Sequence, residues 1–140
     1  MYSRNMFTVA TSLIAVVCTT TVARTQEAEA LYTCIEATVT RSPDVDASVC
    51  DAGPTDALTQ RLEFDNLQLR TGALITEVVT GGVAHLAGLR AGDVIYRIGG
   101  VDVDGNVEAT FRLSLIEETA DTVVNFLRRG RPYRVKIRQP

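Results

Sequence analysis

From Leu62 onward the apolar residues come in short runs, each cut by glycine, and this punctuation limits what the chain can fold into. Runs of four to seven residues are too short for independent helices. Bounded by turn residues, they are the length of strands in a small sheet. Phe64–Leu69 and Ala73–Val79 read as two strands joined by Arg70, Thr71 and Gly72, and Val83–Gly88 is a helical turn or two. Asp93–Ile98 is a strand ended by Gly99–Gly100, with a further short one at Val101–Val103. Val107–Glu118 is the one long helix. Thr122–Leu127 and Tyr133–Arg138 close the pattern as a hairpin around Arg129, Gly130 and Arg131. These elements predict an α+β fold, a small antiparallel sheet or partial barrel capped by two helices.

Upstream the pattern differs. In residues 1–23 a basic Arg4 precedes an apolar run, Met6–Val17, and then small or hydroxylated residues to Ala23, which predicts a cleaved export signal. The alternative is an uncleaved anchor, because the uncharged stretch Asn5–Ala23 is 19 residues. Export would leave Cys34 and Cys50 as an even pair in a compartment that permits oxidation, so a disulfide is expected. Closing that loop stabilises by roughly 3 kcal/mol on the chain-entropy model. Residues 24–60 read as a helical extension. Leu31, Ile35 and Val39 repeat every four residues within a helix at Glu27–Thr40, and a second helix is punctuated by Ser42, Pro43, Gly53 and Pro54.

Charge narrows the function classes. The formal net charge of −3 offers no basic excess to neutralise phosphates, so nucleic acid is not an expected partner. The segment from Arg24 to Asn66 holds nine acidic residues against three arginines, and Arg128–Pro140 holds six basic residues and no acidic one. There Arg134, Lys136 and Arg138 alternate with Val135 and Ile137, as on a strand with one solvated face. Catalysis finds little support. Beyond residue 23 the chain has one histidine, His85, and Ser42, Ser48 and Ser114 stand in no nucleophile motif. Asp102, Asp104 and Glu108 fall short of a calcium loop, so neither a metal nor a cofactor is expected.

The run GGVAHLAGLRAGDVIYRIGG from Gly81 to Gly100 resembles the segment of bacterial PDZ domains that reads small-x-x-AGL-x-x-GD-hydrophobic-I and then a glycine turn. In it Gly88 stops a short helix, Leu89 enters the core, Gly92 takes a conformation that side chains resist, and Asp93 bonds the turn's own amides. The resemblance covers residues 61–140 and extends to high-temperature-requirement proteases and carboxyl-terminal processing peptidases. It implies a non-catalytic exported module, periplasmic or secreted, that binds an extended peptide or protein segment by strand addition between a sheet-edge strand and the long helix. The positions matching the family's carboxylate loop are Arg61, Leu62, Glu63 and Phe64. The edge strand that follows is Phe64–Leu69, with Asn66 among its peptide-binding positions.

Ala109, Leu113 and Ile116 would form the groove's helical wall, with Phe111 and Leu115 turned to the core. Glu63 stands where the family usually has glycine, which disfavours capture of a terminal carboxylate. Ala109 stands where many animal PDZ domains have histidine, so apolar ligand side chains are expected. Two alternatives stay open. One is a structural or assembly subunit whose groove is filled by its own amino-terminal segment, and the other is a detached regulatory part of a protease system. The sequence does not specify an oligomeric state.

Overall fold

The computed structural model describes residues 29–36 and 39–140. The expected export signal lies outside them. Eight strands and three helices follow one another as β1 (Tyr32–Cys34), β2 (Thr40–Ser42), β3 (Ala47–Pro54), α1 (Asp56–Arg61), β4 (Ala73–Val78), α2 (Val83–Ala87), β5 (Val94–Ile98), β6 (Val101–Asp102), α3 (Asn106–Ser114), β7 (Thr122–Arg128) and β8 (Arg131–Ile137). The strands form one open antiparallel sheet in the order β1-β3-β4-β5-β7-β8, with β2 also paired to β3 and β6 to β5.

The central strands read as continuous apolar runs because both faces of the sheet are covered. Ala73, Ile75, Ile95, Val124 and Phe126 face α2 and α3, where Leu89, Ala109, Leu113 and Ile116 complete the main core. Their alternates Leu74, Val94, Tyr96 and Leu127 point the other way and meet Ala57, Leu58 and Leu67 beneath α1. A third helix on the second face was not expected. Thr55 caps it, accepting from Leu58 N through Oγ1 at 3.4 Å.

The glycine-punctuated run performs as its chemistry predicts. Gly88 ends α2 at φ 97° and Gly92 takes φ 94° in the next turn. Asp93 is buried and accepts from Arg90 N at 2.8 Å, and Arg128 reaches it from β7 with Nε at 2.9 Å and Nη2 at 2.7 Å. The paired carboxylate raises the guanidinium pKa above its ordinary value. Arg128 Nη2 also donates to Gly88 O at 2.8 Å, so one ion pair fastens α2, the turn and β7. At the last hairpin Arg128 pairs with Arg131 around Arg129 and Gly130, both at positive φ. Arg134, Lys136 and Arg138 are exposed and Ile137 is buried, as the alternation predicts.

Four expectations are corrected. The first concerns the helix expected at Glu27–Thr40, of which the described part is β1, an irregular link and the start of β2; Leu31 is buried while Ile35 and Val39 are exposed, so the fourfold spacing marks no common face. The second concerns the helix expected after Ser42, which is β3. Ala47, Val49 and Asp51 face α3 and Cys50 and Ala52 face α1, a period of two that a tertiary partner on each side makes decisive. Pro43 lies in the turn at residues 43–46 and Gly53 lies inside β3.

The third is the strand expected at Phe64–Leu69, which is a turn over residues 62–66 and an irregular connection after it. Its edges would have no partner, because β3 already holds that side of β4. The fourth concerns α3, which ends at Ser114 with Phe111 and Leu115 56% and 55% exposed. At 100° per residue, position 111 lies about 200° around the helix from Ala109, on its outer face.

The Cys34–Cys50 disulfide is present, with a Cα–Cα distance of 5.6 Å, and joins β1 to β3 rather than two helices. Tyr32 secures the other end of β1: its hydroxyl donates to Gln68 O at 3.0 Å and accepts from Arg70 N at 3.2 Å. Burial raises the Tyr32 pKa above its ordinary value of 10.0, against the opposing effect of the Arg70 amide.

Two outcomes follow from these ties. Asp93→Ala leaves Arg128 and the Arg90 amide unpaired and lowers unfolding free energy by about 3 kcal/mol, read from urea denaturation. For Tyr32, the neutral phenol is favoured in the folded state, so its contribution is complete below pH 10.0 and is lost as pH rises through the raised folded value. Denaturation between neutral and strongly alkaline pH shows that decline, and Tyr32→Phe, costing about 1 kcal/mol at neutral pH, makes it shallower.

Candidate strand and helix groove

The groove is built by β3, α3 and the strand between them. β3 pairs with β4 through Ala47↔Val78, Val49↔Ile75 and Asp51↔Ala73, which leaves its other edge facing outward. That edge is occupied. Thr40, Arg41 and Ser42 of β2 pair antiparallel with Val49, Ser48 and Ala47, and β2 lies beside α3. Opposed residues share a face, so Thr40 and Ser42 turn toward α3 with Val49 and Ala47, and Arg41 turns to solvent.

Side chains fix this arrangement at the start of α3. Gly105 precedes the helix and offers no side-chain cap, so the cap comes from another strand: Asp51 Oδ1 accepts from Asn106 N at 2.7 Å. A Cβ at Gly105 would collide with the Asp51 carboxylate, which is why the smallest residue stands there. Asp51, 55 positions from Asn106, gave no local signal. Asn106 is itself buried, and its Nδ2 donates to Thr40 Oγ1 at 2.9 Å. Ser42 is fully buried, and its Oγ has no hydrogen-bond partner among the described residues.

The residues named from the sequence fall into two places. Ala109, Leu113 and Ile116 are buried together in the main core beside β3. Arg61, the last residue of α1, and Leu62, Glu63, Phe64 and Asn66 after it lie on the other side of the sheet. There Arg61 pairs with Asp65 at 2.7 Å, Leu62 packs on the second cluster, Glu63 is exposed, Phe64 is 89% exposed and Asn66 takes φ 51° in the turn. The fold does not bring the two groups together. Thr40, Ser42, Asp51 and Asn106 are the groove residues that sequence reasoning missed. The hydroxyl-flanked Thr-Arg-Ser before Pro43 was their one local signal.

Outside the groove, His85 is exposed and its Nδ1 accepts from Gly81 N at 3.0 Å. Asp102 is engaged by Arg97 at 2.8 Å. Among the described residues no group of three His, Cys, Asp or Glu is placed to hold a metal ion, and no helix is long and apolar enough to cross a membrane.

This architecture, a helix-flanked open sheet with the Gly88–Asp93 turn at its centre, has counterparts. Residues 74–129 match the PDZ domain family. The fold of that stretch is PDZ-like. The chain is 31% identical over 72 residues to the periplasmic pH-dependent serine endoprotease DegQ of Escherichia coli (strain K12), an alignment covering 51% of this chain and 16% of DegQ. Among solved structures, the HtrA-type protease AlgW with decapeptide superposes with a TM-score of 0.51 at 20% identity, over 67% of this chain and 27% of that one. The likeness to AlgW is one of fold. The chain spans only a minor part of the length of either protease.

Opposite outcomes are expected from two substitutions at the groove. Ser42→Ala removes a buried hydroxyl without a partner and raises stability by about 1 kcal/mol. Asp51→Ala removes the cap of α3 and lowers stability by about 1 kcal/mol. Urea denaturation of both variants beside the native chain reads the signs.

Proposed function

We propose that this chain is a non-catalytic, exported PDZ module whose strand and helix groove is held by its own strand β2, and that it takes an external peptide or protein segment in exchange for that strand. One observation supports this above the others. β2 pairs antiparallel with β3 and turns alternate side chains toward α3, which is how an added peptide strand engages a sheet edge beside a helix. AlgW carries a decapeptide on a related fold, and DegQ is periplasmic. Together with the signal-like residues 1–23, these favour an exported peptide binder.

In this reading β3 is the strand wall, Ala109 and Leu113 of α3 with Ile116 just beyond its end form the other wall, and Asn106 and Asp51 set the end of the groove. Arg61, Leu62, Glu63, Phe64 and Asn66 form a separate surface beyond α1. The ligand is an internal extended segment rather than a chain end, because the turn at residues 43–46 carries the chain on from Ser42 where a terminal carboxylate would sit.

A second reading is favoured by that same continuity. With β2 joined to β3 by a four-residue turn, a permanently closed groove would make the module a structural or assembly subunit.

Calorimetric titration with a synthetic peptide of residues 36–42 separates the two. Ser42→Arg places a charged side chain at a fully buried position and expels β2. If β2 is an exchangeable occupant, this variant binds the peptide about tenfold or more tighter than the native chain. A folded Ser42→Arg variant that takes up no peptide sinks the exchange reading and leaves the closed subunit.

A further inference from the structure

The outer edge of β3 carries two strands of the same chain in tandem. β1 lies along Ala52–Pro54 and β2 along Ala47–Val49. Cys50 stands at the junction between them, and Cys34, its disulfide partner, is the last residue of β1. The bond spans a sequence separation of 16 and closes a loop that contains the whole of β2. β2 is therefore clamped at both ends, by the turn at residues 43–46 on one side and by the bonded end of β1 on the other.

The two ends of β1 are held differently. Its start is fixed without the disulfide, since Tyr32 bonds Gln68 and Arg70, Thr55 N donates to Leu31 O at 3.0 Å and Thr55 Oγ1 donates to Ala30 O at 2.7 Å. Its far end, where the link to β2 departs, is held by the disulfide and by Ile35 N donating to Asp51 O at 3.0 Å. β2 itself is three residues long, pairs only with β3, and buries a hydroxyl without a partner among the described residues. Its one side-chain bond to α3 runs from Asn106 Nδ2 to Thr40 Oγ1, and in so short a strand loop closure weighs heavily in keeping it in place.

We propose that the Cys34–Cys50 disulfide is a redox latch on the groove: the oxidised form holds β2 between β3 and α3, and the reduced form lets β2 leave so that β3 accepts an external extended segment. The latch rests on the exchange reading above. Its chemistry is thiol–disulfide exchange with a dithiol reductant. One thiolate attacks the sulfur of Cys34, which is partly exposed where Cys50 is fully buried. The Cys34–Cys50 bond breaks and Cys50 leaves as a thiolate that takes up a proton. The second thiol of the reductant, losing its proton, then attacks the mixed disulfide and releases Cys34, which is protonated in turn. Two electrons pass to the protein, and the reductant ends as its own disulfide.

Cys50 belongs to the second cluster, beneath α1, and Cys34 packs against it, so the main core around α2 and α3 contains neither sulfur. Releasing a loop of this size changes the closed-to-open ratio on the order of 100-fold on the chain-entropy model.

The test uses the full chain and a fluorescein-labelled peptide of residues 36–42, with binding read by anisotropy before and after dithiothreitol, for the native chain, Cys34→Ser and Ser42→Arg. Reduction tightens binding to the native chain by tens of fold to about 100-fold. Cys34→Ser binds like the reduced chain and does not respond to dithiothreitol. Hydrogen exchange at β2 speeds up on reduction while β4 and β5 stay protected. Equal affinity before and after reduction, with Ser42→Arg binding, overturns the latch and leaves the exchange reading standing. Failure of Ser42→Arg to bind overturns both, with Asn106→Ala taking its place should Ser42→Arg not fold. Loss of protection in β4 and β5 on reduction also overturns the latch, since the bond would then be a staple of the whole fold.

Discussion

A strand inside a sheet must satisfy its backbone on both sides, and β3 does so with β4 on one side and with β1 and β2 in tandem on the other. The rest of the molecule is arranged around that requirement. Because β3 is an inner strand, its odd-numbered residues reach the core under α3 and its even-numbered ones the core over α1, so one strand contributes to both clusters. Asp51 on the α3 side caps that helix, and Cys50 on the opposite side binds β1. Without occupants on its outer edge, β3 would present a row of unpaired donors and acceptors beside an apolar helix. That is the environment in which an extended segment is taken up.

The groove is thus a product of topology more than of any motif. The Gly88–Asp93 turn and the Asp93–Arg128 pair lie at the far side of β5 and hold α2 and β7 to the sheet. They fasten the scaffold, and none of their side-chain hydrogen bonds reaches Thr40, Ser42, Asp51 or Asn106. Family likeness in that run therefore speaks for the scaffold. What the groove holds is decided by the segment before residue 61, which supplies three of the eight strands and lies wholly outside the part matched to the PDZ family. A relative with the same run and a different upstream segment would have the same scaffold and a different groove.

Much of the scaffold was legible in the residues. β4, β5, β7, β8 and the helices α2 and α3 were expected within a few positions, because their periodicity and glycine signals are local. The disulfide was expected because export would leave Cys34 and Cys50 as an even pair in a compartment that permits oxidation. The helical reading of residues 27–53 failed for a physical reason. Leu31, Ile35 and Val39 have helical spacing, but only Leu31 is buried, and the period of two through Ala47, Val49 and Asp51 has meaning only once two cores lie on either side of the strand. Local propensity cannot report a partner that arrives from elsewhere in the chain. The edge strand expected at Phe64–Leu69 failed in the same way, since β3 had already taken its place beside β4.

The sequence by itself determined the glycine turns, the strands β4, β5, β7 and β8 and the bond of Asp93 to its own turn, because each depends on backbone preference or on alternation. Only the tertiary structure decided that Thr40 and Ser42 face α3, that Asp51 caps a helix 55 positions away, and that Arg61–Asn66 lies on the opposite side of the sheet from Ala109, Leu113 and Ile116. These are contacts between segments whose separation along the chain is large. The free energy that selects them comes from filling the edge of β3 and burying both faces of the sheet at once, and no window of residues contains it.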